Sequence, residues 1–432
     1  MPVRGLAEWL DYIERIHPKS IQLGLERVAK VRDAMGKSSP AALFTVAGTN
    51  GKGSTCAMLE SILLAAGYKV GLYTSPHLIR YNERVRLDGV PVDDERLCAA
   101  FEAVEHARGD VTLTYFEFGT LAAWEIFTSR PLDAVILEVG LGGRLDAVNA
   151  FDTDCALLTT VDFDHMDYLG NTRESIGSEK AGIFRADKPA VVADPQPPQS
   201  VLDRAGAIGA ELLLIGRDFG FRQQGQQWMY WGPSGRRGGL AAPALRGERQ
   251  LANAAAALTA LDALRMRLAV GMQDVRNGLA GVELPARFQV LPGRPTVVLD
   301  VAHNPQAAGV LADGLALMSF YPETYAVFAM LKDKDIEGVC RALKDRFTAW
   351  FAAGLSVPRG ASADTLASAL RAAGASGEVV RFGNPREAYA AARNRAGEND
   401  RIVVFGSFHT VAEVMQAIEA ARIEAREARQ RL

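Results

Sequence analysis

Residues 46–55 read Val-Ala-Gly-Thr-Asn-Gly-Lys-Gly-Ser-Thr and lie between a short apolar run and an amphipathic segment. The run at 43–46 predicts a buried strand, and residues 54–66 predict a helix that ends at Gly67. A glycine-rich turn before a helix N-terminus presents backbone N–H groups to an anion, and Lys52 adds a mobile positive charge. The stretch therefore predicts a nucleoside triphosphate site in an α/β fold.

This loop departs from the common phosphate-loop pattern at both of its ends. Val46 stands where the pattern has its first glycine, and Gly53 stands where it has the hydroxyl that holds Mg²⁺. Ser54 comes one residue too late to supply that hydroxyl. Either other groups hold the metal or the segment is only a tight turn. The glycines of the loop, together with Lys52, favour the phosphate site.

Composition describes an ordinary globular protein. The 432 residues are 48% hydrophobic and 23% charged, which fits two or three domains. A net charge of −3 gives no electrostatic basis for binding nucleic acid or an anionic membrane. With no signal-peptide core or membrane-spanning run, we expect a cytoplasmic location. Four cysteines without C-x-x-C spacing indicate a reducing compartment and argue against zinc or disulfides: Cys56, Cys98, Cys155 and Cys340.

Strands alternate with helices along the whole chain, which predicts parallel βαβ units. We predict a large N-terminal ATPase domain of the phosphate-loop type, with a mostly parallel sheet, over 1–285. A smaller Rossmann-like α/β domain is predicted over 286–432. Residues 211–231 predict strands, and the glycine-rich residues 232–243 predict an irregular segment. Further strands are predicted at 68–73, 134–139, 156–161, 190–193, 297–299, 326–329, 350–352, 379–381 and 402–405.

Polar residues follow the predicted strands at their carboxyl ends, where open α/β sheets bind ligands. Glu138 and Ser75 offer the hard oxygen atoms that magnesium prefers, and so are candidates to replace the missing hydroxyl. Alternatively, Glu138 only caps a buried strand and Ser75 only starts a turn with Pro76. His165 is a poor magnesium ligand by type, and its acidic loop is of a kind that is usually just solvated.

Three other charged residues allow two interpretations each. Lys180 lies in a segment typical of an amphipathic helix, so the residues alone favour a surface position. Asp300 could accept hydrogen bonds from a ribose, or it could be a helix cap. Arg287 could pair bidentately with phosphate oxygens, or it could form a salt bridge at the domain interface.

Taken together, these segments resemble the folylpolyglutamate synthases of the Mur ligase superfamily, above all the bacterial members that are also dihydrofolate synthases. The resemblance implies a carboxylate–amine ligase. ATP would phosphorylate the carboxylate of dihydropteroate, or the γ-carboxylate of tetrahydrofolate, and the amine of L-glutamate would then displace phosphate. The matching residues run in the family's order through nearly the whole chain: 23–27, 48–55, 75–78, 83–85, 113–117, 137–149, 164–165, 174–184, 287–289, 300–305, 333–335 and 406–411.

The same resemblance implies roles for individual residues. Lys52, Lys180 and His303 are the implied catalytic residues, with Lys180 carbamylated and L-glutamate expected near His303 and Ser407. Two Mg²⁺ ions are implied on Ser75, Glu138 and His165. The implied ATP contacts are Thr49, Asn50, Gly51, Lys52, Asn253, Arg287 and Asp300. The implied pterin pocket is formed by Thr114, Tyr115, Phe116, Glu117, Leu145, Asp146 and Ala147.

Two positions depart from the family pattern: Gln22 replaces an acid that some relatives carry near the pterin, and Ala286 replaces a frequent glycine. Three alternatives stay open. One is a ligase with the polyglutamylating activity only. A cell-wall Mur enzyme would be expected to carry an extra N-terminal domain before the loop. A regulatory nucleotide switch would not need a second α/β domain. The resemblance also leads us to expect a monomer.

Overall fold

The computed structural model describes residues 4–19, 21–225, 227–245 and 248–430. The chain forms two compact units. The first comprises Met1–Ala244 and Glu248–Glu283, and the second comprises Leu245–Gly247 and Leu284–Leu432. Among the helices of the described residues, none combines the length and the apolar character needed to cross a membrane.

The first unit is built on a mostly parallel sheet. Its strands are β1 Ala42–Ala47, β2 Val70–Tyr73, β3 Val85–Leu87, β4 Val90–Pro91, β5 Ala134–Glu138, β6 Cys155–Leu158, β7 Pro189–Val192 and β8 Glu211–Leu214. Over the described residues they lie in the order β4-β3-β2-β5-β1-β6-β7-β8. Over the described residues of this sheet, β3 pairs antiparallel to both β2 and β4, and the other neighbouring strands pair in parallel. All residues of β1 and β5 are buried, as expected of parallel strands with helices on both faces.

Helices cover this sheet. They are α1 Leu6–Arg15, α2 Glu26–Met35, α3 Lys52–Ala65, α4 Asp94–Arg108, α5 Tyr115–Thr128, α6 Met166–Leu169, α7 Arg173–Lys180, α8 Gln199–Ile208, α9 Glu248–Ala263 and α10 Met272–Gly281. Single 3₁₀ turns lie at Tyr81–Arg84, Ala147–Ala150 and Ala181–Ile183. A Cβ at Gly278 would lie 2.5 Å from Ile62 Cα, so glycine allows α10 to pack closely on α3.

The prediction of an irregular segment at 232–243 is wrong. Residues Gly235–Ala241 form β11, which pairs with β10 at Gln227–Gly232, and β10 pairs with β9 at Gly220–Gln224. Arg237 donates to Asp262 Oδ1 at 2.7 Å and so ties β11 to α9. Glycines hide the alternation of a strand from sequence analysis, whereas the pairing with β10 fixes the strand in the fold.

The second unit has its own sheet, formed by β12 Gln289–Leu291, β13 Thr296–Leu299, β14 Thr324–Phe328, β15 Ala349–Ala353, β16 Glu378–Phe382 and β17 Arg401–Phe405. The order is β12-β13-β17-β14-β15-β16, and β12, which the sequence did not predict, pairs antiparallel to β13. Its helices are α11 Pro305–Ala316, α12 Ile336–Leu343, α13 Ala363–Ala372, α14 Pro385–Arg395 and α15 Phe408–Gln430. The predicted α/β fold class is confirmed.

Candidate active site

The loop between β1 and α3 is shaped by glycine and fixed by residues that follow β6. Gly48 has a φ of +151°, and a Cβ there would lie 1.8 Å from Thr159 Oγ1. Thr49 N donates to Thr160 O at 2.7 Å, and Thr159 Oγ1 donates to Asn50 O at 2.6 Å. The loop therefore leads into the N-terminus of α3 in one fixed conformation, as an anion site requires.

Lys52 is the first residue of α3, two residues before the predicted helix start. Its Nζ donates to Gly48 O at 3.0 Å and to Thr49 O at 3.4 Å, which holds the ammonium against the loop. Asn253 on α9 lies beside the same loop, since a Cβ at Gly51 would be 2.7 Å from Asn253 Oδ1. Lys52 and Asn253, both predicted to contact the nucleotide, therefore lie together at the loop.

Two of the three candidate metal ligands also lie together. Glu138 ends β5, is 4% exposed, and accepts a hydrogen bond from Ser75 N at 3.1 Å through Oε2. Glu138 pairs in register with Val46, two residues before Gly48. Its carboxylate therefore lies at the edge of the sheet that carries the phosphate loop.

The third candidate ligand follows β6, the neighbour of β1 on its other side. His165 has a left-handed φ of +50°, and its Nε2 lies 3.8 Å from Asp164 Oδ2. Within the described ranges, no group of three or more His, Cys, Asp or Glu side chains could hold a metal ion. The candidate set includes the hydroxyl of Ser75, which is not one of these residue types.

Lys180 does not occupy the surface position that its sequence pattern favours. It is 5% exposed at the end of α7, and the loop after β5 packs against the backbone there. A Cβ at Gly143 in that loop would lie 2.8 Å from Lys180 O. Burial, and next the charge of Lys52, lower the pKa of Lys180 to about 7, while Asp164 and Asp146 act in the opposite direction. A large fraction of this amine is therefore neutral at neutral pH.

Asp146 is a second buried group with a shifted pKa. Its Oδ2 accepts from Leu141 N at 2.8 Å and its Oδ1 from Val148 N at 3.0 Å, which fixes the loop after β5. Burial raises the pKa of this carboxyl to about 7, although the backbone donors and Lys52 oppose the shift. Ala147, the next residue, is buried at the start of a 3₁₀ turn.

Some of the remaining candidates for the pterin pocket already form hydrogen bonds within the fold. Glu117 Oε1 accepts from Arg27 Nη2 at 2.6 Å, and its Oε2 accepts from Thr114 N at 2.7 Å in a capping box. The Phe116 ring lies against the backbone of Gly140, where a Cβ would be 2.6 Å from Cζ. Leu145 O accepts from Gly24 N at 3.2 Å. Glu117 and Thr114 thus shape the start of α5 themselves.

In the second unit, Asp300 acts as an acceptor for its own loop. Its Oδ2 accepts from Phe288 N and its Oδ1 from Ala302 N, both at 2.7 Å. Burial raises the pKa of Asp300, and the nearby charge of Arg287 opposes that shift. The Arg287 guanidinium lies 5.0 Å from the centre of the Phe408 ring. Asp300 is therefore not a helix cap, because the N-cap of α11 is Asn304, whose Oδ1 accepts from Ala307 N at 2.8 Å.

His303 lies in the same loop, and its Nδ1 is 2.8 Å from Val301 O. Since a carbonyl only accepts, Nδ1 carries the proton. Ser407 is 4% exposed, and its Oγ accepts from Thr410 N at 3.0 Å. Arg287, Asp300 and His303 are thus grouped at the carboxyl end of β13.

The sequence analysis missed Thr159 and Thr160, which bond to the phosphate loop from directly after β6. A signal was present, because two adjacent hydroxyls lie near the carboxyl end of the strand predicted at 156–161. That signal is weak, since their partner Asn50 is about 110 residues away in sequence.

The family models of two Mur ligase domains match this chain. The Mur ligase middle domain matches residues 46–261, and the Mur ligase, glutamate ligase domain matches residues 286–408. The dihydrofolate synthase/folylpolyglutamate synthase of Escherichia coli (strain K12) is 47% identical over 418 residues, covering 96% of each chain. The chain belongs to the dihydrofolate synthase/folylpolyglutamate synthase family of Mur ligases. The family resemblance found in the sequence is confirmed.

Solved structures of this family agree with the fold. E. coli FolC in complex with DHPP and ADP has a TM-score of 0.92 and 46% identity, covering 97% of this chain and 99% of that chain. A bifunctional folylpolyglutamate synthase/dihydrofolate synthase with Mn, AMPPNP and L-glutamate bound has a TM-score of 0.89 and 46% identity. The coverage in that comparison is 96% of this chain and 98% of the other.

Proposed function

We propose that this protein is an ATP-dependent, ADP-forming ligase that joins L-glutamate to dihydropteroate and to the γ-carboxylate of tetrahydrofolate. The observation that carries the proposal is the pairing of an anion-binding loop, with Lys52 held against it, and a buried lysine of lowered pKa. Both occur in a chain that is 47% identical, over 96% of its length, to the dihydrofolate synthase/folylpolyglutamate synthase of Escherichia coli.

The chemistry explains why such a site is needed. A carboxylate is a poor acyl donor until one of its oxygens carries a phosphoryl group, because the resulting mixed anhydride has phosphate as its leaving group. The carboxylate oxygen attacks the γ-phosphorus of ATP, ADP leaves, and an acyl phosphate forms. The neutral amine of L-glutamate then attacks the acyl carbon, phosphate leaves, and a proton is released. Lys52 and the N–H groups of the loop stabilise negative charge on the transferring phosphoryl group.

Divalent metal belongs to the proposal, and the donors present suit it. Glu138 offers a buried carboxylate next to Ser75, and oxygen donors are what Mg²⁺ prefers. His165 is the third proposed ligand. When bound, the metal neutralises charge on the phosphates. Carbamylation of Lys180 is also proposed, because a neutral amine can take up CO₂ and the product is an anionic oxygen ligand.

The other assignments are proposed on the family resemblance and on position. For the nucleotide they are Thr49, Asn50, Gly51, Asn253, Arg287 and Asp300, and for the pterin they are Thr114, Tyr115, Phe116, Glu117, Leu145, Asp146 and Ala147. His303 is proposed to act near L-glutamate. A monomer acting in the cytoplasm is part of the proposal, and light scattering of the purified protein tests the monomer.

The test is incubation with ATP, Mg²⁺ and labelled L-glutamate, with either dihydropteroate or tetrahydrofolate as acceptor. We expect a glutamylated product and stoichiometric ADP with each acceptor, and neither without an acceptor. Release of phosphate without any glutamylated product would contradict the ligase. Product with tetrahydrofolate alone would reduce the proposal to polyglutamylation.

A further inference from the structure

Both hydrogen-bond donors of Thr49 are used by the segment that follows β6, residues 159–165. The Thr49 N–H donates to Thr160 O at 2.7 Å. The Thr49 hydroxyl donates to Asp162 O and accepts from Asp162 N, both at 3.0 Å. A threonine has no third donor. Thr49 therefore holds this segment against the phosphate loop, and in this conformation it has no N–H or O–H left for a phosphate oxygen.

The segment after β6 is also fixed from its other side. Val161 is buried, and its N–H donates to Asp194 Oδ2 at 2.7 Å. The carbonyl of Val161 accepts from Nε of Arg173, the first residue of α7, at 3.0 Å. Val161 and Asp162 are thus held between the phosphate loop and two charged side chains that follow in the sequence.

Beyond Asp162, the chain that leads to His165 buries little of its surface. Phe163 is 47% exposed and Met166 is 52% exposed. The Phe163 N–H donates to Asp162 Oδ1 at 2.8 Å, which is a bond between neighbours in the sequence. His165, a proposed metal ligand, comes only three residues after Asp162. The position of its imidazole therefore depends on where Asp162 is held.

We propose that Thr49 is a positioning residue whose hydroxyl places His165 to bind the divalent metal. This inference rests on the proposed function, since it takes His165 as a metal ligand. It also narrows the nucleotide assignment of Thr49, which shapes the phosphate site and joins it to the metal site without donating to the triphosphate. Groups that orient a metal ligand without touching the metal typically contribute about 10–100-fold in metal affinity.

The test is a metal-binding measurement that needs no turnover. Mn²⁺, a paramagnetic substitute for Mg²⁺, is titrated into protein saturated with AMPPNP. The proteins are the wild type, Thr49→Val, Thr49→Ser, Thr45→Val and His165→Ala. Thr45→Val is the matched control, because the buried Thr45 hydroxyl in β1 has no hydrogen-bond partner among the described residues. With isotopically labelled histidine in the protein, pulsed electron paramagnetic resonance detects an imidazole nitrogen bound to Mn²⁺.

Valine replaces the Thr49 hydroxyl with a methyl group of similar size and leaves the N–H and C=O of Asp162 without that partner. We expect the histidine signal in the wild type, Thr49→Ser and Thr45→Val, and its absence from His165→Ala. Thr49→Val should lose the signal and bind Mn²⁺ about tenfold more weakly. AMPPNP titrated without metal should bind the wild type and Thr49→Val alike, because no phosphate contact is removed.

An unchanged histidine signal with an unchanged affinity for Mn²⁺ in Thr49→Val would overturn the proposal. Weaker binding of metal-free AMPPNP to Thr49→Val, with the histidine signal intact, would overturn it too, because Thr49 would then be a phosphate contact. If thermal unfolding shows that Thr49→Val is not folded, Thr49→Ala makes the same comparison. Absence of the histidine signal from the wild type would also overturn the inference, whereas the proposed function fails only if the product assay shows no glutamylation.

Discussion

Lys180 shows how burial changes the chemistry of one residue. Lys180 is 5% exposed, and this burial lowers its pKa to about 7; the charge of Lys52 acts in the same direction, and those of Asp164 and Asp146 act against it. The carbamate that such an amine can form would reverse its charge and add oxygen ligands. The same side chain is therefore proposed to change from a cation to a metal ligand.

We expect Lys180→Ala to lower the rate of glutamylation by about 100-fold, on the scale seen for groups that position a metal. Short-chain carboxylates should restore part of the activity, because they supply the missing oxygens. Lys30→Ala is the control, since Lys30 is exposed on α2. Full activity of Lys180→Ala, together with an unmodified lysine in the intact mass of the native wild type, would contradict carbamylation.

Lys180 also predicts how stability depends on pH. The pKa of Lys180 is about 7 in the fold and 10.5 ordinarily, so between these values the unfolded chain holds a proton that the folded chain lacks. Lys180 therefore destabilises the fold increasingly as pH falls from 10.5 to 7, and by a constant amount below 7. The free energy of unfolding of Lys180→Met should therefore rise relative to that of the wild type as the pH falls from 10.5 to 7. Denaturant titrations in CO₂-free buffer measure the difference; one that is flat from pH 7 to 10.5 would show that the pKa is ordinary.

At the scale of elements, the phosphate loop requires glycine at position 48, because Thr159 occupies the place where a side chain would lie. In Gly48→Ala the new Cβ would meet Thr159 Oγ1, at a φ of +151° that side chains rarely adopt. We expect a loss of stability of about 1–3 kcal/mol and weaker binding of ATP. Gly206→Ala on α8 has open space and an ordinary φ, so it should be neutral or stabilising by about 0.4–1 kcal/mol. Calorimetry measures the stability and the ATP affinity of both variants. Equal stability and equal affinity in Gly48→Ala and Gly206→Ala would contradict the argument.

The elements also show what the sequence could and could not predict. The strand–loop–helix unit around Lys52 and the strand ends at Ser75 and Glu138 were predictable, because apolar runs and turn residues are local signals. The burial of Lys180 was not predictable, because helical periodicity does not reveal which other part of the chain packs on a polar face. The Thr159 bond to the loop joins residues about 110 positions apart, and β11 is fixed by pairing that its glycines conceal.

For the whole molecule, the topology of the first unit explains why distant residues gather. β2, β5, β1 and β6 are neighbours in that order, although β5 and β6 follow β2 by more than 60 residues in sequence. Their parallel direction brings Ser75, Glu138, the loop and His165 to one edge of the sheet. A single phosphate site at that edge is then expected to serve both acceptors.

That expectation gives a prediction for the intact protein. ATP with Mg²⁺ at 100 times its Kd should raise the free energy of unfolding of the wild type by about 2.7 kcal/mol through linkage alone. Lys52→Met removes the charge at the loop and should lose most of this stabilisation, whereas Lys69→Met, at an exposed position before β2, should keep it. If both acceptors use the one loop, Lys52→Met must reduce glutamylation of dihydropteroate and of tetrahydrofolate by the same factor. Product assays with each acceptor measure the two factors, and survival of one activity would require a second nucleotide site that Lys52 does not serve.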